Sequence, residues 1–259
     1  MDSTAVLTRE ARDAALREDP WLRRFHPSPD ARVTLVAFPH AGGSASYFHR
    51  LSALLAPDVE LFAVQYPGRQ DRRLEPSLDS VHALADGVLP SLALLPDRPL
   101  ALLGHSLGAS VAFETMRRLA AAGSEPHVLF ASGRPGPRVH KSFDIHKLSD
   151  TAFLATIRRM NGTDTRLLDD PEVVAMVLPS LRTDYRAAET YRYVEGTPLS
   201  CSIVVLHGDA DDFVPGYDVR DWALETTGDF NLHVFRGGHF YLADQWEAVA
   251  ETLTHHLPA

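Results

Sequence analysis

Short apolar runs alternate with segments of helical spacing along most of this chain, and that alternation restricts the folds open to it. Six runs, rich in β-branched and aliphatic residues and bounded by turn residues, predict buried strands at 32–38, 59–64, 99–103, 127–131, 202–206 and 231–235. Helical spacing between them predicts helices at 81–94 and 109–122. Continuously apolar strands are buried on both faces, so we expect an α/β fold with a mostly parallel sheet flanked by helices.

A long segment, residues 137–197, separates the fourth predicted strand from the fifth and contains no comparable apolar run. Helical spacing at 148–160 and a proline opening 171–185 predict a helical insertion. Because open α/β sheets bind ligands at the carboxyl ends of their strands, we interpret 137–197 as a lid or substrate channel; a packed helical pair without a gating role is the alternative. Residues 21–136 and 198–259 then form the core, and 1–20 form an N-terminal extension that can be disordered.

Charge and composition exclude several classes of function. The 34 acidic and 25 basic residues give a formal net charge of −9, which argues against binding to nucleic acid or anionic lipid. The chain has no long uninterrupted apolar run and a charged N-terminus, so we predict no membrane span and no signal peptide, and a cytoplasmic location. The 13 histidines and the single cysteine, Cys201, form no metal-ligand pattern, so we expect no metal.

The segment Gly104-His105-Ser106-Leu107-Gly108 carries the clearest chemical signal in the chain. It fits G-x-S-x-G and lies between a predicted strand and a predicted helix, where a strained turn exposes the serine at the helix N-terminus. The unpaired N–H groups of that N-terminus favour developing negative charge. We therefore predict that Ser106 is a nucleophile.

A serine hydroxyl needs a base and an orienting acid, which follow it in the chain order Ser, Asp, His in α/β-hydrolases. His239 lies in a glycine-flanked turn after the last predicted strand and is the expected base. Asp209, Asp211 and Asp212 share the loop after the preceding strand. We choose Asp211, because its spacing from Gly208 and from Val214-Pro215 resembles the usual setting of the acid in α/β-hydrolases, and we keep Asp212 as the second choice.

Catalysis by such a serine also requires backbone donors for the oxyanion. Leu107, directly after the nucleophile, is expected to supply one N–H. The loop Phe38-Pro39-His40-Ala41-Gly42-Gly43 follows the first predicted strand, and Ala41 is our choice for the second. His40 and His105 are expected to pack around the site and not to act as bases.

Six motifs together resemble the stand-alone type II thioesterases of polyketide synthase and nonribosomal peptide synthetase pathways, which belong to the α/β-hydrolase superfamily. They are WLRRF at 21–25, FPHAGG at 38–43, YPGRQDR at 66–72, GHSLGA at 104–109, PSLRTDY at 179–185 and GGHF at 237–240. The likeness extends from about Trp21 to the end. Two of the motifs, YPGRQDR and PSLRTDY, are much more specific than the hydrolase elbow. The chain departs from the family at Asp212, where proline commonly follows the triad aspartate.

The resemblance implies an α/β-hydrolase fold with a helical lid and the hydrolysis of acyl thioesters on the phosphopantetheine arm of an acyl or peptidyl carrier protein. This activity would remove stalled or wrong acyl groups, and it needs no metal or organic cofactor. The partner would be the carrier protein, with neither nucleic acid nor a membrane. Either of two sets of arginines could meet the arm's phosphate or an acidic carrier surface, or could instead pair with local acids: Arg69, Arg72 and Arg73, or Arg182 and Arg186.

Two other functions remain open on the sequence alone. A carboxylesterase or lipase acting on small free esters would use the same fold and the same serine chemistry. A non-catalytic scaffold of a biosynthetic complex would retain the fold with a vestigial site, although the complete set of Ser106, Asp211 and His239 argues against this.

Overall fold

Seven strands form one sheet in the order β1-β3-β2-β4-β5-β6-β7. In this computed structural model, residues 8–140, 142–159 and 169–258 are described. The strands are β1 (Leu22–Arg23), β2 (Val33–Phe38), β3 (Val59–Val64), β4 (Leu100–His105), β5 (Val128–Ser132), β6 (Ser202–Gly208) and β7 (Phe230–Phe235). All neighbours pair in parallel except β1, which runs antiparallel to β3. The prediction of a mostly parallel α/β sheet is confirmed.

Helices cover both faces of this sheet. They are α1 (Arg9–Glu18), α2 (His49–Leu55), α3 (Val81–Leu92), α4 (Leu107–Ala121), α5 (Asp150–Arg159), α6 (Pro171–Thr190) and α7 (Trp246–His256). Short 3-10 helices occur at Ala45–Phe48, Gln70–Arg72, Ile145–Lys147, Asp218–Glu225 and Tyr241–Asp244. Along β2, Val33, Leu35 and Ala37 enter the core on the α2 and α7 side, whereas Val36 and Phe38 enter the core on the α3 and α4 side. Both faces of β2 are therefore buried, as its apolar sequence predicts.

The N-terminal extension contains more order than the sequence suggested. Residues 9–18 form α1, whose N-terminus is capped by the Thr8 hydroxyl, which accepts a hydrogen bond from the Ala11 N–H. Leu16 is its one buried residue, and Asp13 pairs with Arg24. The segment is mostly polar, so its helical periodicity is weak. The packing of its single buried leucine could not be predicted from the sequence.

Two helices of the segment 137–197, α5 and α6, lie between β5 and β6. Phe153 and Ile157 of α5 pack with Ile145 and with Leu181 of α6 in a small core that is separate from the two sheet-facing cores. The predicted helix at 148–160 is thus observed from Asp150 to Arg159, and Met160 lies outside the described residues. Among the described residues, no helix is long and apolar enough to cross a membrane.

Candidate active site

Ser106 occupies the turn between β4 and α4, with a φ of 55° that non-glycine residues seldom adopt. Its two flanking glycines have no room for a side chain. A Cβ atom on Gly104 would overlap the backbone of Gly108, and one on Gly108 would overlap the carbonyl of Phe38. The turn therefore closes only with glycine at both positions, and it holds the serine at the carboxyl edge of the sheet.

His239 lies in the loop after β7 and contacts Ser106. Its Nε2 is 3.0 Å from Ser106 Oγ, and its Nδ1 is 2.7 Å from Asp211 Oδ2. Because a carboxylate can only accept, the neutral imidazole carries its proton on Nδ1, and Nε2 accepts the serine hydroxyl proton. Both His239 and Asp211 are buried, with 6% and 8% of their surface exposed. The three side chains form one continuous hydrogen-bonded chain.

The acidic loop after β6 gives its three aspartates different surroundings. Asp211 Oδ1 accepts the N–H groups of Phe213 and Val214, which fixes the carboxylate while Oδ2 faces His239. Asp209 is exposed and accepts the N–H of Gly237, which joins this loop to the histidine loop. Asp212 is exposed to solvent. Of the three, Asp211 is the carboxylate that reaches the imidazole.

The two expected oxyanion donors belong to different segments near the nucleophile. Leu107 is the first residue of α4, so its N–H has no acceptor within the helix. Ala41 follows β2 and lines the same cavity as Ser106. Both amides belong to segments that converge on the serine, which is the placement that an oxyanion hole requires.

A buried ion pair between the PSLRTDY and YPGRQDR motifs holds the loop that contains Ala41. Asp184 of α6 is completely buried and accepts the Gly42 N–H at 2.7 Å. The same carboxylate binds Arg69 in a two-point contact, at 2.6 Å and 2.8 Å, and Arg69 also donates to the Gly43 carbonyl. Both motifs are recognisable in the sequence, but the role of Asp184 is not. It lies 115 positions from Arg69, and no local pattern connects residues that far apart.

Replacing Asp184 with leucine is expected to lower the stability of the fold by about 3–5 kcal/mol, because it leaves the Arg69 guanidinium buried without its counter-charge. For a chain of this size that corresponds to a melting temperature lower by roughly 10 °C. The double variant Arg69→Met/Asp184→Leu should regain most of the stability, since it removes both charges. Hydrolytic activity should stay low in both variants, because the Gly42 N–H lacks its acceptor.

Calorimetry of the parent, both single variants and the double variant would measure this coupling. Equal melting temperatures for the parent and the Asp184→Leu variant would contradict the structural role assigned to the pair. Full activity in the double variant would show that the Gly42 contact is not needed to position the loop.

The cavity at Ser106 has a volume of about 90 Å³ and is closed on one side by α6. Tyr185, Ala188 and Glu189 of that helix line it together with Ser106 and His239. This volume is well below the ~300 Å³ at which pockets begin to take drug-sized ligands. In this arrangement the site accepts only a small group.

Two further histidines near this cavity remain neutral. Burial lowers the pKa of His40 to about 3, and the charges of His239 and Arg69 act in the same direction. Burial also lowers the pKa of His105 well below its ordinary value, with smaller contributions from His239 and His40. Neither ring contacts the Ser106 hydroxyl, so His239 is the imidazole placed to act as base, and His40 and His105 pack around it as expected.

The arginines suggested as anion contacts are mostly engaged within the protein. Arg69 pairs with Asp184, and Arg72 pairs with Glu75 while its guanidinium lies 4.6 Å from the Trp21 ring. Arg182 pairs with Asp150, and Arg186 with Asp79. Arg73 is exposed. Four of the five suggested residues therefore follow the alternative given above, pairing with local acids.

No group of three or more His, Cys, Asp or Glu side chains within the described ranges is arranged to hold a metal ion. Cys201 is half-buried. Desolvation, and after it the charge of the nearby Glu125, raises the pKa of its thiol to about 12.

Comparison with known proteins places these features in a family context. The thioesterase domain family matches residues 33–257. Thioesterase PikA5 of Streptomyces venezuelae is 50% identical over 239 residues, which cover 92% of this chain and 85% of that relative. The type II thioesterase BorB from the borrelidin biosynthetic cluster superposes with a TM-score of 0.87 at 44% identity, covering 93% of this chain and 98% of BorB. YbtT, a type II thioesterase from the yersiniabactin NRPS/PKS pathway, gives a TM-score of 0.84 at 32% identity, covering 92% and 98%.

Proposed function

Because this chain belongs to the thioesterase domain family, we propose that it hydrolyses acyl thioesters on the phosphopantetheine arm of acyl or peptidyl carrier proteins. Its role would be to remove stalled or aberrant acyl groups from polyketide or nonribosomal peptide assembly lines. Similarity to type II thioesterases such as BorB and YbtT supports this role. The observation that carries the chemistry is the hydrogen-bonded chain from Ser106 through His239 to Asp211.

In the proposed mechanism, Ser106 Oγ attacks the thioester carbonyl carbon while His239 Nε2 takes the hydroxyl proton. Asp211 stabilises the resulting imidazolium, and the Ala41 and Leu107 N–H groups hold the oxyanion. Collapse of the tetrahedral intermediate breaks the carbon–sulfur bond, and His239 protonates the departing thiolate. A water molecule, deprotonated by His239, then attacks the acyl-serine, and the carboxylic acid leaves as Ser106 regains its proton.

The same proposal assigns the parts of the chain. Residues 21–136 and 198–259 supply the hydrolase core with its triad, and 137–197 act as the lid over the acyl site. The contacts of Tyr185, Ala188 and Glu189 with the cavity support this assignment for α6. The small volume of the cavity supports an acyl group of a few carbons as the substrate in the closed arrangement.

The main rival, a carboxylesterase acting on free esters, is tested by comparing substrates with the same acyl group. We expect kcat/KM for acetyl-carrier protein to exceed the values for acetyl-N-acetylcysteamine and p-nitrophenyl acetate by at least about tenfold, because binding of the arm and carrier adds to transition-state stabilisation. Mass spectrometry of the carrier protein before and after exposure measures the first reaction directly. A clear preference for the oxygen ester would overturn the thioesterase proposal.

A further inference from the structure

One side of the Ser106 cavity reaches solvent through a group of cationic residues. Arg134 and Phe143 line the cavity, and 61% of Phe143 is exposed, so this side is its outer edge. Arg134 Nη2 donates to the Ala188 carbonyl of α6 at 2.9 Å. An arm that carries an acyl group to Ser106 can therefore pass along Phe143 and Arg134.

Arg192 and His140 extend this cationic region outward. Arg192 Nη1 donates to His140 Nδ1 at 3.2 Å and to the carbonyl oxygens of Glu189 and Tyr191 at 3.2 Å and 3.0 Å. Partial desolvation lowers the pKa of His140, and the charges of Arg192 and Arg134 lower it further, which places the three groups near one another. We call the arginines Arg134 and Arg192, together with the neutral His140, the cationic rim.

The geometry of the rim leaves donors directed outward. Every recorded hydrogen bond of Arg192 uses Nη1, so Nε and Nη2 have no protein acceptor in the described part of the chain. Because His140 Nδ1 accepts from Arg192, the neutral ring carries its proton on Nε2. Arg192 is exposed, so these N–H groups can meet a ligand from solvent.

The two arginines of the rim form no ion pair with a carboxylate of the described residues. Nearby cations outside it are paired: Arg138 with Glu195 and Glu225, and Lys147 with Asp144. Within the described ranges, neither Arg134 nor Arg192 forms an ion pair. Glu189, whose charge acts on Arg134, is held by the N–H groups of Phe143, Ile145 and His146 and by the His146 ring. In a chain of net charge −9, two arginines without an ion pair beside the cavity are a specific feature.

We propose that Arg192 and His140 bind the phosphodiester that joins the phosphopantetheine arm to its carrier protein. This inference rests on the proposed function. The phosphodiester is the arm's single charged group and lies at the end remote from the thioester. In the rim, Arg134 lines the cavity, and Arg192 is exposed and binds the carbonyl of the cavity-lining residue Glu189. A guanidinium with two free N–H positions suits phosphate oxygens, and the exposed Phe143 ring packs on the apolar part of the arm.

The test compares three acetyl thioesters that differ only beyond the pantetheine: acetyl-pantetheine, acetyl-phosphopantetheine and acetyl-carrier protein. For Arg192→Gln we expect kcat/KM to fall roughly fivefold to tenfold on both phosphate-containing substrates, through a higher KM, and by less than about twofold on acetyl-pantetheine. Arg192→Lys should retain part of the effect, since it keeps the charge but loses the fork.

Arg32→Gln is the matched control, because Arg32 is an exposed arginine at the amino end of β2, away from Ser106. It should behave as the parent on all three substrates, and melting temperatures verify that each variant is folded. Arg73→Gln tests the one arginine, of the five suggested from the sequence, for which the described residues provide no ion pair.

Three results would overturn the inference alone. An equal loss on all three substrates would mean that Arg192 acts by holding the Glu189 and Tyr191 carbonyls. A loss confined to the carrier protein would assign Arg192 to acidic side chains of the carrier. No loss in Arg192→Gln, or a phosphate-dependent loss in Arg73→Gln instead, would place the phosphate elsewhere. If the parent hydrolyses none of the thioesters, the proposed function itself fails.

Discussion

Replacing Ser106 with alanine is expected to reduce thioester hydrolysis by at least about 10⁴-fold while leaving the fold intact. The substitution removes the oxygen that forms the acyl-enzyme, and it removes little packing because the side chain differs by one atom. Turnover of acetyl-carrier protein and labelling by a fluorophosphonate measure the effect. Both should disappear in the variant.

Ser110 offers a matched control for that experiment. It is buried one turn further along α4, with 3% of its surface exposed, and it lies outside the hydrogen-bonded chain. Ser110→Ala should keep near-parental activity and labelling. Parental activity in Ser106→Ala would exclude the proposed mechanism, and a parent that resists the fluorophosphonate would favour a scaffold without catalysis.

Asp211→Asn is expected to lower kcat by roughly 10³-fold to 10⁴-fold. An asparagine amide can still accept the N–H groups of Phe213 and Val214 through its oxygen, so the loop keeps its conformation. The NH₂ group then faces His239 Nδ1 and favours the tautomer with the proton on Nε2, which cannot accept a proton from Ser106.

Asp212→Asn provides the comparison within the same loop. Asp212 is exposed, so its neutralisation should change kcat by less than about twofold. The two variants carry the same chemical change at adjacent positions. A large loss in Asp212→Asn together with a small one in Asp211→Asn would identify Asp212 as the orienting acid.

Much of the core could be predicted from the sequence, because buried parallel strands are read directly from continuous apolar runs. The six predicted strands and the helices after β3 and β4 are present. The edge strand β1 was not predicted, since a two-residue antiparallel pairing of Leu22 with Val64 has no periodicity of its own. Helix α7 was also missed, and His255 and His256 lie at its end. Its buried residues Trp246, Val249 and Leu253 have helical spacing.

The residues of the site also differ in whether the nearby sequence is enough to identify them. Ser106 and His239 follow strands and stand beside glycines, which makes them recognisable within a few residues. Among Asp209, Asp211 and Asp212 the spacing already favoured Asp211, and the coordinates place its Oδ2 2.7 Å from His239 Nδ1. The availability of each arginine depended on partners far away in the chain, so local sequence could not separate the paired Arg69 from the unpaired Arg192.

The contact between Asp184 and Gly42 restricts how the protein can admit its substrate. An outward rotation of the whole of α6 would pull this carboxylate from the Gly42 amide and from Arg69, and would disturb the neighbouring Ala41 amide. We therefore expect Asp184 to stay in place as a pivot, with displacement confined to the turns that follow it, which carry Tyr185, Ala188 and Glu189. The cavity could then widen while the backbone amides around the carbonyl oxygen keep their positions throughout the catalytic cycle.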